Sequence, residues 1–217
     1  MTKYLNPIKY VNFIRKKIKL YFKNLKTKRV NNLKFINAQL DKINNVDQLV
    51  NFHFSTYSDP DHINREMFQL VLKHFSGSSL NILETGSAAH GTKSSTLFAN
   101  YVKRFGGSFD TVDTNPEIKE FYKFLESSNI TFHTMDSLKY IENISQKNIS
   151  KLDLIYLDSF DLDIDNPEPS QDHGYKEFLL LNDKLKKGAL IAIDDTPISF
   201  EKFGTNKPNK FNFIPGK

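Results

Sequence analysis

Cysteine is absent from this chain. That absence excludes disulfides, thiolate metal sites and cysteine nucleophiles, and it is compatible with a cytoplasmic location. Long apolar runs are also missing. None approaches the length of a membrane span, and no apolar core followed by a small-residue cleavage site marks a signal peptide. The phosphate-cradling spacing Gly-x-Gly-x-x-Gly does not occur, which weakens any reading built on a dinucleotide. Acidic residues are missing from the first forty positions, which hold eleven Lys/Arg. The remaining residues hold nineteen Lys/Arg against twenty-five Asp/Glu, so the net charge of +5 averages a basic arm and a mildly acidic body.

What is present suits a folded body. Hydrophobic residues make up 39% and charged residues 25% of 217 positions, enough for one α/β domain with an appendage. The expected division is a basic arm over residues 1–45 and a domain over 46–217, with its core at 80–197.

In the arm, Val11, Ile14, Ile18, Tyr21, Phe22 and Leu25 fall on one helical stripe. Lys16, Lys19, Lys23 and Lys26 repeat on another, which predicts an amphipathic helix with a basic face. Such a helix packs on its own domain or on a second copy in a homodimer. It also suits a peripheral contact with an anionic membrane. Nucleic acid is the weakest of these readings, because the body is acidic and no recognition motif follows.

The body opens with helical patterns between Val46 and Phe75 and then alternates. Strands are predicted at Asn81–Thr85, Ser108–Val112, Ile130–Thr134, Leu154–Leu157 and Ala189–Ile193. Helices are predicted at about Ser94–Phe105, Glu117–Ser127, Ser137–Ile144 and His173–Lys186. This order predicts an α/β fold with a Rossmann-like, doubly wound, mainly parallel sheet.

The organising stretch runs from Asn81 to Ser95. A short apolar run ends in Glu84, and a turn of small residues from Gly86 to Gly91 leads into a helix. Glycine there lets a ligand approach the backbone. An acid stands at or just past the end of every predicted strand: Glu84, Asp113, Asp136, Asp158 and the pair Asp194-Asp195. Those ends form the ligand-binding rim of an open α/β sheet. Asp113 is placed to accept the hydroxyls of a ribose. Asp136 and Ser137 are placed for an adenine edge, although Asp136 before a helix also reads as its cap. Glu84 either orders the glycine turn or meets an ammonium group through water. Asp158, Asp194 and Asp195 offer hard oxygen donors suited to Mg²⁺ or Mn²⁺. His173 is the candidate general base, since histidine exchanges protons near neutral pH. His90 reads as a turn residue, and His53 and His62 are candidate lid or substrate residues by position alone.

At these residues the chain resembles class I S-adenosylmethionine-dependent methyltransferases. The resemblance covers about Asn81 to Pro197 and is carried by Ile82-Leu83-Glu84-Thr85-Gly86 with Gly91, Val112-Asp113, Met135-Asp136-Ser137, Leu154–Asp158 and Gly188–Asp195. The last two motifs are most similar to metal-dependent O-methyltransferases of the catechol and macrolide-sugar type. The resemblance implies S-adenosylmethionine as cofactor and a small hydroxylated acceptor, a sugar or glycan precursor. It implies cofactor contacts from Glu84, Gly86, Ser87, Gly91, Asp113, Asp136, Ser137 and Asp158, and a cation on Asp158, Asp194 and Asp195. Asp158 and His173 would then carry the catalysis, the cation activating the acceptor hydroxyl. The chain departs from the family in two ways. Four residues separate Gly86 from Gly91, one more than catechol-type enzymes use. The family also continues into two more strands, so the C-terminal edge strands are expected to be missing here. Two other readings compete: a catalytically degenerate methyltransferase fold tethered by its arm as a binding module, and an NAD-dependent oxidoreductase.

Overall fold

The computed structural model describes residues 37–87, 91–163 and 165–196. The stretch expected to form a basic helix in the arm, Ala88-Ala89-His90 and the tail from residue 197 onward lie outside the described residues. The chain divides into two units, Met1–Lys42 and Ile43–Lys217, and the sheet with its helices belongs to the second.

Two helices, α1 (Val46–Thr56) and α2 (Arg65–His74), precede the sheet. The Asn45 side chain caps α1 by accepting from the Gln48 amide. Next come β1 (Leu80–Thr85), α3 (Ser94–Phe105), β2 (Gly107–Asp113), α4 (Pro116–Tyr122) and β3 (Ile130–Thr134). The remainder is α5 (Ser137–Asn143), α6 (Gln146–Ile149), β4 (Leu154–Leu157), α7 (Glu168–Asn182) and β5 (Leu190–Ile193).

The five strands form one parallel sheet in the order β3-β2-β1-β4-β5. This is the expected Rossmann-like α/β fold. Strand order reverses between β1 and β4, so a crevice opens at their C-terminal ends.

Three helices differ from the sequence pattern. Helix α4 stops at Tyr122, because the chain must double back through a Ser127–Ile130 bridge to enter β3. Helix α7 starts at Glu168, well before His173. Its prolines fall in the first turn, where a missing amide costs nothing, and do not mark a loop. Helix α6 carries too little periodicity to stand out in the sequence.

Each face of the sheet has its own core. Rings cover one face: Phe68 meets Phe98 at 5.6 Å and Tyr156 at 5.1 Å, and Tyr122 stacks on Phe132 at 5.1 Å. The other face is aliphatic, with Leu83, Ile155 and Leu157 packed with Ile141, Ile149, Leu152 and Leu181. Register explains the split, since Glu84 pairs with Thr111 and Tyr156 while Leu83 pairs with Ile155. Entry into β2 requires Gly107, where a Cβ would lie 1.9 Å from the Leu80 carbonyl oxygen.

Candidate functional site

The crevice is built around the end of β1. Gly86 has φ +79, and a Cβ there would lie 2.0 Å from the Asp158 carbonyl oxygen. The turn after β1 therefore touches the chain leaving β4, and only glycine fits. The Asp158 amide donates to the Thr85 carbonyl at 2.8 Å, which keeps Asp158 at the rim.

Glu84 is fully buried beneath this turn. Its carboxylate accepts from Ser94 Oγ at 2.6 Å, Ser95 Oγ at 2.5 Å and Thr111 Oγ1 at 2.7 Å. Burial pushes its pKa up to about 7, against the pull of those hydroxyls and with a further push from Asp113. The oxygens of Glu84 are thus taken by the first turn of α3 and by β2.

Ser87 continues this network. Thr111 gives its proton to Glu84, so Ser87 Oγ, 2.7 Å away, donates to Thr111 Oγ1. The Ser87 amide donates to Asp113 Oδ2 at 3.0 Å, and the Asn115 amide donates to Asp113 Oδ1 at 2.7 Å. Asp113 is thus held at the rim by two amides, with further lone pairs left on both oxygens. Ser87 holds the turn with both its amide and its hydroxyl, an inward role that the sequence did not indicate.

Asp136 caps α5, accepting from the Lys139 amide at 3.1 Å. Ser137 follows as the first helical residue and is buried. Its Oγ lies 2.9 Å from His173 Nε2, and the same nitrogen lies 3.5 Å from the buried Glu177 carboxylate. The Phe160 ring, on the segment after β4, lies against the imidazole at 5.6 Å. His173 therefore joins the Asp136–Ser137 side of the crevice. Glu177 first, and the Asp136 charge as well, push its pKa up against burial and Lys176.

The three aspartates expected to hold a cation are not brought together. Asp194 Oδ1 accepts from Asn64 Nδ2 at 2.7 Å. Asp195 has φ +52, and its Oδ2 accepts from the Leu162 amide at 3.1 Å. Among the described residues no group of three His, Asp or Glu side chains is gathered for a metal ion. Adjacent residues diverge at the end of a strand, and here each has found a different partner.

The α1–α2 segment covers the rim beside Gly91. Ser58 Oγ donates to the Gly91 carbonyl at 2.9 Å. His53 is buried on α1 and donates from Nε2 to the Thr92 carbonyl at 2.7 Å. Burial lowers its pKa to about 4, so the ring is neutral. Its Nδ1 has no hydrogen-bond partner among the described residues. His62 Nδ1 accepts from the Asn64 amide at 3.2 Å, and its Nε2 faces Gly91. Asn64 carried no signal in the sequence. The paired Ser94-Ser95 at a helix start, ten residues after an acid, was the one trace of the clasp on Glu84.

No family model matches the chain, and no curated protein is significantly similar to it. Among the described residues no helix is long and apolar enough to cross a membrane.

Proposed function

We propose that this protein is an S-adenosylmethionine-dependent methyltransferase that O-methylates a small hydroxylated acceptor. The observation that carries the reading is the Glu84 clasp beneath the Gly86 turn, with Asp113 held beside it. In a pyrophosphate site the helix N-terminus after this turn receives the anion. Here the first-turn serines of α3 are directed onto a buried acid, and the rim carries further carboxylates. That arrangement repels phosphate and suits a cofactor whose charged groups include cations. It favours S-adenosylmethionine over NAD.

When bound, the cofactor supplies an electrophilic methyl on a sulfonium. The protein's share is binding, orientation and proton handling. Asp113 accepts the ribose hydroxyls, and Gly86 lets the turn lie against the chain leaving β4. Asp136 and Ser137 border the adenine. Asp158 stands at the rim against the Gly86 turn, where its carboxylate takes the proton leaving the acceptor hydroxyl. The step is assigned to Asp158 rather than to His173, whose Nε2 lies 2.9 Å from Ser137 Oγ. No step is routed through a divalent cation, since the donor set is not assembled.

Calorimetry with S-adenosylmethionine and with NAD tests the reading. Saturable binding of the first alone is expected, and binding of neither would point to a non-catalytic module. Asp113→Ala is expected to weaken S-adenosylmethionine at least tenfold, about 1.4 kcal/mol or more. Turnover that falls in EDTA and returns with Mg²⁺ would establish the cation after all.

A further inference from the structure

The two edges of the sheet are finished differently. At β3 the chain covers part of its own edge, since Ser127 and Ile130 exchange backbone hydrogen bonds at 3.1 and 3.3 Å. Thr131, His133 and Thr134 make that strand polar as well. The opposite edge is β5, Leu190-Ile191-Ala192-Ile193, and all its residues are apolar and partly exposed, whereas those of β4 beside it are buried. It has none of the lysines or prolines that keep an apolar edge from pairing. The Leu190 and Asp194 amides donate toward β4, to the Asp153 carbonyl at 2.9 Å and the Leu157 carbonyl at 3.0 Å. Alternation then turns the amides and carbonyls of Ile191 and Ile193 outward. The Ile193 carbonyl accepts from Thr196 Oγ1 at 3.2 Å and keeps a second lone pair. Among the described residues no strand lies beyond β5.

Charge along this edge has a direction. Lys186 and Lys187 precede β5, and Asp194 and Asp195 follow it. Lys186 is paired with Asp153, and Lys187 is exposed. A second copy laid parallel would set lysine against lysine and aspartate against aspartate. A copy related by a two-fold axis runs antiparallel, so its aspartates come beside these lysines and its lysines beside these aspartates. We propose that β5 is a dimer edge, pairing antiparallel with β5 of a second copy so that two five-stranded sheets become continuous. Ile191 and Ile193 supply the hydrogen bonds, the apolar side chains of the two copies cover one another, and the opposed charges fix the direction. The inference does not depend on the cofactor.

Sedimentation equilibrium on the full chain is expected to give the mass of two chains, falling on dilution. In NMR amide exchange, Ile191 and Ile193 should be protected in the dimer, and their exchange should quicken at least tenfold when dilution separates the copies. Leu190 and Asp194 should stay protected throughout, because their amides bond to β4. Ala192→Lys sets two lysines near the two-fold axis and should weaken the dimer at least tenfold. Lys187→Glu changes an exposed side chain and should weaken it about twofold to fivefold. It decides the matter if Ala192→Lys does not fold. A monomer at NMR concentrations overturns the proposal, whether the Ile191 and Ile193 amides exchange freely or are protected by another segment of the same chain. A dimer in which those two amides exchange freely, or one that neither variant weakens, overturns it too, because the copies then meet elsewhere.

Discussion

The two faces of the sheet are packed by different chemistry. One is aliphatic: Leu83, Ile155 and Leu157 meet Ile141, Ile149 and Leu181. The other is aromatic and polar at once. Phe68, Phe98, Tyr156 and Phe109 form a chain of ring contacts, and Glu84, Thr111, Ser94 and Ser95 lie buried on that same side. Alternation along β1 produces the split, since Leu83 and Glu84 point to opposite faces. The aliphatic face seats α5 and α7, whose ends near the rim meet through Ser137 and His173. The aromatic face contributes stability and also holds the turn that borders the crevice, so its residues answer to two demands.

The contrast can be broken first at its largest ring contact. Phe98→Ala is expected to cost about 3–5 kcal/mol in guanidinium unfolding, because neighbouring rings cannot collapse into the space. A loss under about 1 kcal/mol would mean that the ring cluster is loosely packed. Next come two buried titrating groups on this side. Glu84 has its folded pKa raised from 4.5 to about 7, so its stabilisation is full below the unfolded value and is lost as pH rises through the folded one. His53 has its folded pKa lowered from 6.5 to about 4, so its stabilisation is full above the unfolded value and is lost as pH falls through the folded one. Each is worth up to about 3 kcal/mol across its range, with opposite signs.

Between about pH 4.5 and about pH 6.5 the two slopes offset each other in wild type. Glu84→Gln should leave a protein that loses stability as pH falls through this window. His53→Gln should leave one that gains it. Urea midpoints at the two ends of the window decide this, and parallel profiles in both variants would sink it. The smallest effect belongs to the aliphatic face. Ile155→Val should cost about 0.5–1.5 kcal/mol in guanidinium unfolding. A loss above about 3 kcal/mol would show that this face cannot absorb one missing methyl group.

How much of this was legible in the sequence depended on distance along the chain. Strand ends were legible because each apolar run stops at an acid, as at Leu157-Asp158 and Val112-Asp113. Gly86 was legible because a lone glycine follows a strand and precedes a helix. The inward role of Ser87 was not, since nothing local says that its hydroxyl meets Thr111. The parting of Asp194 from Asp195 was hidden as well. It depends on a positive φ at Asp195 and on Asn64, a partner 130 positions away. His173 was noticed for its chemistry, but its contact with Ser137, 36 positions away, was not legible.

The Asn64–Asp194 hydrogen bond also bears on the order of folding. Helix α2 is complete early in the chain, yet its contact at the rim waits for β5, the last strand described. Closing so long a loop costs entropy that local helix formation does not. In refolding, helical signal should return ahead of the near-ultraviolet signal of the packed tyrosines. A nascent chain lacking β5 should have the glycine turn but not the finished wall beside it.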